Sequence, residues 1–202
     1  EVLASRDGGE KLLFDDEEME RIHDWYAVRI QLIDTFIGEF MTAFKAAELD
    51  QKATLVVLGS NGFALQEHED LFGETVYAPT TRIPLMIRFP GGQRPGVNSR
   101  VVEAVDLMPT VVDLVGAELP PGVQGSSLLP VIDGTSTPPY VAFGESQTGE
   151  GQRFVALAGY RAVSTGAGDA MELFHIAADP LELDNVAEAE GDKLAKLAGD
   201  LE

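Results

Sequence analysis

The feature that most constrains how this chain can fold is an amphipathic run over residues 15–49. Ile22, Tyr26, Ile30, Ile33, Ile37, Phe40 and Phe44 recur at spacings of three and four, which places them on one face of an α-helix. Trp25, Leu32 and Phe36 widen that stripe, so the helix is expected to bury it against a sheet and not only against another helix. Asp15 or Asp16 is placed to cap the first turn, and Glu17, Glu18 and Glu20 lie near the positive end of the helix dipole.

Two apolar runs follow, at 53–59 and at 84–90 ("PLMIRFP"). Strands buried on both faces lose the polar–apolar alternation of half-exposed ones, so both runs read as buried parallel strands. A long helix combined with such strands predicts an α/β layer architecture. "DLMPTVVDLVG" (106–116) reads as a short helix with Asp106 as its cap, Pro109 in the tolerant first turn and Gly116 at its end. Pro120, Pro121, Pro130, Pro138 and Pro139 mark irregular connections. "YVAFGES", "RFVALAG", "YRAVSTG" and "MELFHI" are short, separate strands of an antiparallel kind. Residues 184–202 read as a terminal amphipathic helix, broken or weakened at Gly191. The expected organisation is an α/β portion over 1–135, then a small antiparallel sheet with a C-terminal helix over 136–202; no internal repeat is visible.

The balance of 34 acidic against 14 basic residues gives a net charge of −20 in 202 residues. That charge opposes binding to nucleic acid and to anionic membranes, and its even spread suits solubility or high salt. With no cysteine, disulfides and thiolate sites are excluded, and the redox compartment stays open. No stretch approaches the roughly 18 apolar residues of a membrane span. The acidic N-terminus does not read as a signal peptide, and a start at Glu1 is expected of a processed or trimmed product.

The stretch "VVLGSNGFALQEHEDLFGE" (56–74) carries the candidate chemistry. An apolar run stops at Ser60, Asn61 and Gly62, and a polar loop with Glu67, His68, Glu69 and Asp70 follows, as when an active-site loop leaves the end of a buried strand. Asn61 reads either as a metal ligand or as a turn-forming residue before glycine. His68 is either a substrate-binding residue or a loop histidine bonded locally. Glu67 and Glu69 can hold a cation or simply be solvated.

Six blocks in order resemble the sulfatases, a family of the alkaline phosphatase superfamily: "YAVRIQLIDTFIG" (26–38), "TLVVLGSNG" (54–62), "TRIPLMIRFPGG" (81–92), "VDLMPTVVDLVG" (105–116), "GSSLLPVI" (125–132) and "ELFHIAADPLELDNVA" (172–187). The resemblance covers only the C-terminal part of that family. It implies part of the sulfatase central sheet with a long helix, followed by the small antiparallel sheet and terminal helix. It also implies calcium and a formylglycine nucleophile, matured from a C/S-x-P-x-R motif that occurs nowhere in these 202 residues.

Two further departures concern the site. Where the family ends this strand with Asp-His or Asp-Asn before Gly, this chain has Ser60, Asn61 and Gly62, so Asn61 matches the second metal ligand and the aspartate is lost. A serine hydroxyl cannot replace a carboxylate at a hard dication, whose affinity follows the charged oxygens around it. The family's sulfate-binding lysine falls at Glu74 in "DLFGET", and no lysine lies between Lys52 and Lys193. His68 sits at the histidine of the family's "GEH". Arg82 and Asp34 match structural positions, Asp179-Pro180 is a turn, and His23 and His175 carry no catalytic implication.

The expectation is a sulfatase-like protein without independent catalysis, a structural or binding module with no catalytic residues and no cofactor of its own. The alternative is part of a sulfuric or phosphoric ester hydrolase whose N-terminal portion lies on another chain or outside these residues. A sheet deprived of that portion has an open edge, so self-association or a partner chain covering the edge is expected.

Overall fold

A computed structural model of the chain describes residues 14–71, 73, 75–135, 141–146, 151–165 and 170–199. Helix α1 (Asp16–Ala46) opens on a reciprocal cap. The Asp15 carboxylate accepts the Glu18 amide at 2.9 Å and Glu18 accepts the Asp15 amide at 3.1 Å. Two donors that the first turn leaves without helical partners are thereby satisfied. Past Ala46, Glu48 turns left-handed (φ 56°), and a single 3-10 turn, Leu49–Gln51, follows.

The apolar stripe of α1 forms one face, but it is not a core face. Only Met19 and Phe44 are buried, whereas Trp25, Leu32 and Phe36 are 63%, 65% and 70% exposed. Phe63 stacks on Tyr26 with ring centroids 5.6 Å apart. The reason is dimensional: a helix of 31 residues is about 46 Å long, and a pair of strands about 5 Å apart cannot bed it.

That pair is β1 (Leu55–Leu58) and β2 (Leu85–Arg88). They run antiparallel with Leu55 opposite Arg88 and Leu58 opposite Leu85, which corrects the parallel expectation. The connection carries a loop and the short helix α2 (Ala78–Thr81) and brings the chain back in the opposite direction. Both strands are half-exposed, with Leu58 and Met86 facing solvent. Arg88 donates to the Asp50 carbonyl at 2.9 Å and ties β2 to the turn after α1.

The chain divides into two compact units at Gly92/Gln93. The second begins with α3 (Leu107–Leu114) and α4 (Leu129–Ile132). Asp106 does not cap α3 through its side chain. Its buried carboxylate accepts the Ser126 amide at 2.8 Å and the Glu103 amide at 3.0 Å, joining two distant loops. Gly125, at φ 85°, lets that loop close, since a Cβ there would lie 2.6 Å from the Val105 carbonyl oxygen. Gly116 ends α3 as expected, left-handed at φ 65°.

Four strands, β3 (Ala142–Glu145), β4 (Arg153–Leu157), β5 (Tyr160–Ser164) and β6 (Met171–His175), form an antiparallel sheet in sequence order, as the short segments predict. Ala158 and Gly159, at φ 52° and 86°, make the two-residue β4–β5 turn, the geometry that matches strand twist. Register aligns Val155, Ala162 and Leu173 in one buried row, which Leu197 of α5 (Gly191–Ala198) covers. Gly191 therefore opens this helix and does not interrupt a longer one. Residues 184–190 are held in turns because the side-chain Oδ1 of Asn185 accepts the Leu173 and Ala187 amides, and the Val186 amide donates back to the Leu173 carbonyl. No helix among the described residues is long and apolar enough to cross a membrane.

Candidate functional site

The loop that leaves β1 is anchored at its root. The Gly59 amide donates to Pro84 at 3.0 Å and the Gly62 amide to Thr80 at 2.7 Å. A Cβ at Gly62 would stand 2.1 Å from the Pro79 carbonyl oxygen, so only glycine allows this approach of loop to α2.

Asn61 is exposed and occupied with its chain neighbours. Its Oδ1 accepts the Ser60 hydroxyl at 2.9 Å and its Nδ2 donates to the Gly62 carbonyl at 2.7 Å. This is the behaviour of a turn-forming asparagine before glycine. Among the described residues no three His, Asp or Glu side chains are grouped to hold a metal ion. Calcium takes about six to eight oxygens, several of them charged. One neutral amide and one hydroxyl, bonded to each other, do not fit the calcium that the resemblance implies.

His68 is half-buried and lies flat against the buried Tyr77 ring, with centroids 3.6 Å apart and planes 3° from parallel. Gln66, His68 and Glu69 are left-handed at φ 78°, 53° and 54°. Each such non-glycine conformation costs roughly 1–3 kcal/mol, so the surroundings must impose it. They do so through a knot of bonds. The Glu67 carboxylate accepts the Leu65 amide. The Gln66 amide donates to Asp70 at 2.9 Å, and the Gln66 side chain accepts the Phe14 amide at 2.8 Å. The buried Asp70 carboxylate accepts both the amide (3.1 Å) and the hydroxyl (3.0 Å) of Thr75. Glu67 is thus a loop fastener here. Glu74 lies outside the described residues.

The remaining candidates have structural surroundings. His23 and Asp34 are exposed on α1, and Arg82 follows α2 with its amide bonded to Ala78. His175 accepts the Ala178 amide at Nδ1 (3.1 Å) and meets Tyr160 edge-on at 4.9 Å. Asp179 accepts the Asp184 amide at 2.8 Å and so closes its turn.

Two ionic groupings were not singled out from the sequence. In the first, Arg161 and Glu182 form a buried pair at 3.4 Å, the guanidinium lying 3.5 Å from the Phe154 ring centre. The one available signal is an arginine inside the otherwise apolar "YRAV". In the second, Lys193 bonds Glu190 and the Tyr160 hydroxyl, fastening α5 to the sheet. Hydrogen bonding between Lys193 and Glu190 holds the Glu190 carboxyl below its usual range and the Lys193 ammonium above its own.

Comparison with known proteins fits this arrangement into a family. The Sulfatase family model matches residues 7–117, and the model described as N-sulphoglucosamine sulphohydrolase, C-terminal, matches residues 67–201. Arylsulfatase K of Mus musculus is 27% identical over 187 residues, covering 86% of this chain and 34% of that protein. Arylsulfatase K of Homo sapiens is 28% identical over 187 residues, covering 86% and 35%. The chain thus spans about a third of the length of these curated relatives. The phosphonate monoester hydrolase of Silicibacter pomeroyi superposes with a TM-score of 0.71 at 27% identity, over 84% of this chain and 38% of that one. That of Agrobacterium radiobacter shares the fold, with a TM-score of 0.76 at 24% identity over 93% and 41%. With a family model matched over more than half its length, the chain belongs to the sulfatase family.

Proposed function

We propose that this chain is the C-terminal portion of a sulfatase-type molecule and works as a structural or binding module without catalysis of its own. The observation that carries this reading is the engagement of Asn61, whose oxygen and nitrogen are both taken by Ser60 and Gly62. A sulfate ester resists hydrolysis unless a nucleophile is activated and the departing charge is stabilised, and in metal-assisted sites the cation does both. On the resemblance, the metal-binding carboxylate is replaced by Ser60 or deleted outright, Glu74 falls at the anion-binding lysine, and no C/S-x-P-x-R motif occurs in these 202 residues. An acidic residue facing an anionic ester opposes binding.

The test is turnover of aryl sulfates and of phosphate and phosphonate monoesters by the purified chain. Rates at background are expected, and Ser60→Asp with Glu74→Lys should not raise them, because the nucleophile is still missing. A rate from the wild-type chain that persists after dialysis against chelator would sink the proposal.

One observation favours a second reading: the arylsulfatase K match takes in 86% of this chain but 34% of that protein. On it, the chain is part of a sulfuric or phosphoric ester hydrolase whose nucleophile-bearing portion lies on another chain or beyond these residues. Adding an N-terminal portion of the family separates the two, since turnover would arise only under the second.

A further inference from the structure

We propose that Asn61 is a self-modification site, where the Gly62 backbone nitrogen attacks the side-chain amide and turns it into a carboxylate. The hydrogen bond from Gly62 to Thr80 is the guard that sets the rate. This chemistry belongs to the loop itself and is independent of whether the chain is catalytic. Asn61 is exposed and is followed by glycine, whose missing Cβ leaves the approach of the two groups unobstructed. Two contacts prepare the amide. The Ser60 hydroxyl donates to Oδ1 at 2.9 Å, where negative charge develops when a nucleophile adds to Cγ, and a donor there stabilises the adduct. Nδ2 donates to the Gly62 carbonyl at 2.7 Å, which keeps the side chain turned toward Gly62.

The reaction balances with water as its co-reactant. The Gly62 nitrogen gives its proton to solvent hydroxide and bonds to Asn61 Cγ. The Cγ–Nδ2 bond then breaks, and Nδ2 leaves as ammonia with a proton taken from water. Water opens the resulting cyclic imide at either carbonyl, giving aspartate or its β-linked isomer. In the folded chain the first move is blocked. The Gly62 amide proton is committed to the Thr80 carbonyl at 2.7 Å, and a Cβ on this glycine would lie 2.1 Å from the Pro79 oxygen. The nitrogen can neither lose its proton to hydroxide nor turn toward Cγ until the loop lifts from α2, a local opening. Conversion is also one-way. A carboxylate at position 61 has no proton to give the Gly62 carbonyl. The β-linked product adds a methylene to the backbone beside a glycine seated too closely for a Cβ.

The whole chain is incubated in mildly alkaline buffer, folded and across a graded urea series. Mass spectrometry follows the peptide that carries residue 61, and methyl transfer by an isoaspartyl methyltransferase counts the β-linked product. Amide exchange of Gly62 is read in the same samples. The folded chain should convert about tenfold more slowly than the unfolded one, the hold of one hydrogen bond of ordinary net strength. Across the series, conversion should rise in step with Gly62 exchange, since both wait for the same bond to open. Asn61→Gln, which would need a larger ring, should stay unconverted in every sample. An unfolded chain that leaves Asn61 intact would overturn the assignment of the site. Equal rates in folded and unfolded chains, or conversion that runs ahead of Gly62 exchange, would overturn the guard. Ester turnover by the chain moves none of these readouts, so this inference and the functional reading fail separately.

Discussion

Removing the carboxylate of Glu182 tests the energetics of the second unit at its most exacting point. Arg161 and Glu182 are 8% and 1% exposed with Nε and Oε1 3.4 Å apart. Burial pushes the Arg161 guanidinium down to about 10, against the upward pull of the Glu182 charge. A depression of that size corresponds to roughly 3 kcal/mol against the charged form. Because the folded value lies below the unfolded one, this penalty is present in full at neutral pH and is relieved only as pH rises above about 10. Glu182→Ala leaves the buried cation without its compensating charge, which costs about 3–5 kcal/mol. With a urea slope of about 2 kcal/mol/M, the midpoint should fall by about 2 M. Arg161→Met with Glu182→Leu removes both charges and should be neutral or stabilising by about 1–4 kcal/mol. The readout is amide exchange of β5 and β6 across a urea series, since Trp25 lies in the other unit. A midpoint shift under about 0.5 M for the single variant, or a double variant that falls as far, would refute the reasoning.

Other perturbations probe separate features. Gly62→Ala places a Cβ 2.1 Å from the Pro79 oxygen and should cost roughly 1–3 kcal/mol by thermal unfolding, whereas Gly38→Ala, with nothing within 4 Å, should stabilise by about 0.5–1 kcal/mol. Protection of the Leu197 amide should be lost as pH falls through the depressed Glu190 value, below 4.5, and as it rises through the raised Lys193 value, above 10.5. Lys193→Met should abolish the alkaline limb of that exchange profile, and an unchanged limb would contradict the assignment. Calorimetric titration with calcium or magnesium at physiological salt should give no one-to-one micromolar site. A site that vanishes in Asn61→Ala would overturn the reading of Asn61 as a turn residue.

What could be read from the sequence is what depends on near neighbours. Asp15 and Glu18 are three residues apart, and their reciprocal cap follows from that spacing. The hairpins of the C-terminal sheet follow from short, separate segments, of which β4 and β5 meet across a two-residue turn. Asn61 beside Gly62 behaves as a local turn, one of the two meanings open to it. Long-range contacts escaped. Asp106 looked like a helix cap but spends its carboxylate on Ser126, twenty residues away. A continuous apolar run carries no information on strand direction, and here not on burial either, since β1 and β2 are half-exposed; the path through 59–84 decides that they pair antiparallel. The His68 stack on Tyr77 depends on a left-handed backbone that histidine seldom adopts, so spacing alone does not signal it.

The same limit applies to α1, whose sequence names a face but not what covers it. The second unit resolves its own apolar row, because α5 closes over Val155, Ala162 and Leu173. In the first unit the local stabilisers of α1 are small. The reciprocal cap is worth about 1 kcal/mol, and the exposed Glu17–Arg21 pair adds about 0.3–0.5 kcal/mol. Against these stand isoleucines and aromatics of modest helix propensity, and Thr35 and Thr42, whose hydroxyls bond back to the Gln31 and Gly38 carbonyls at 2.9 Å. Helices in proteins draw most of their stability from packing of an apolar face. The central turns of α1 therefore depend on whatever covers Trp25, Leu32 and Phe36, and their amides should exchange quickly until that cover is in place.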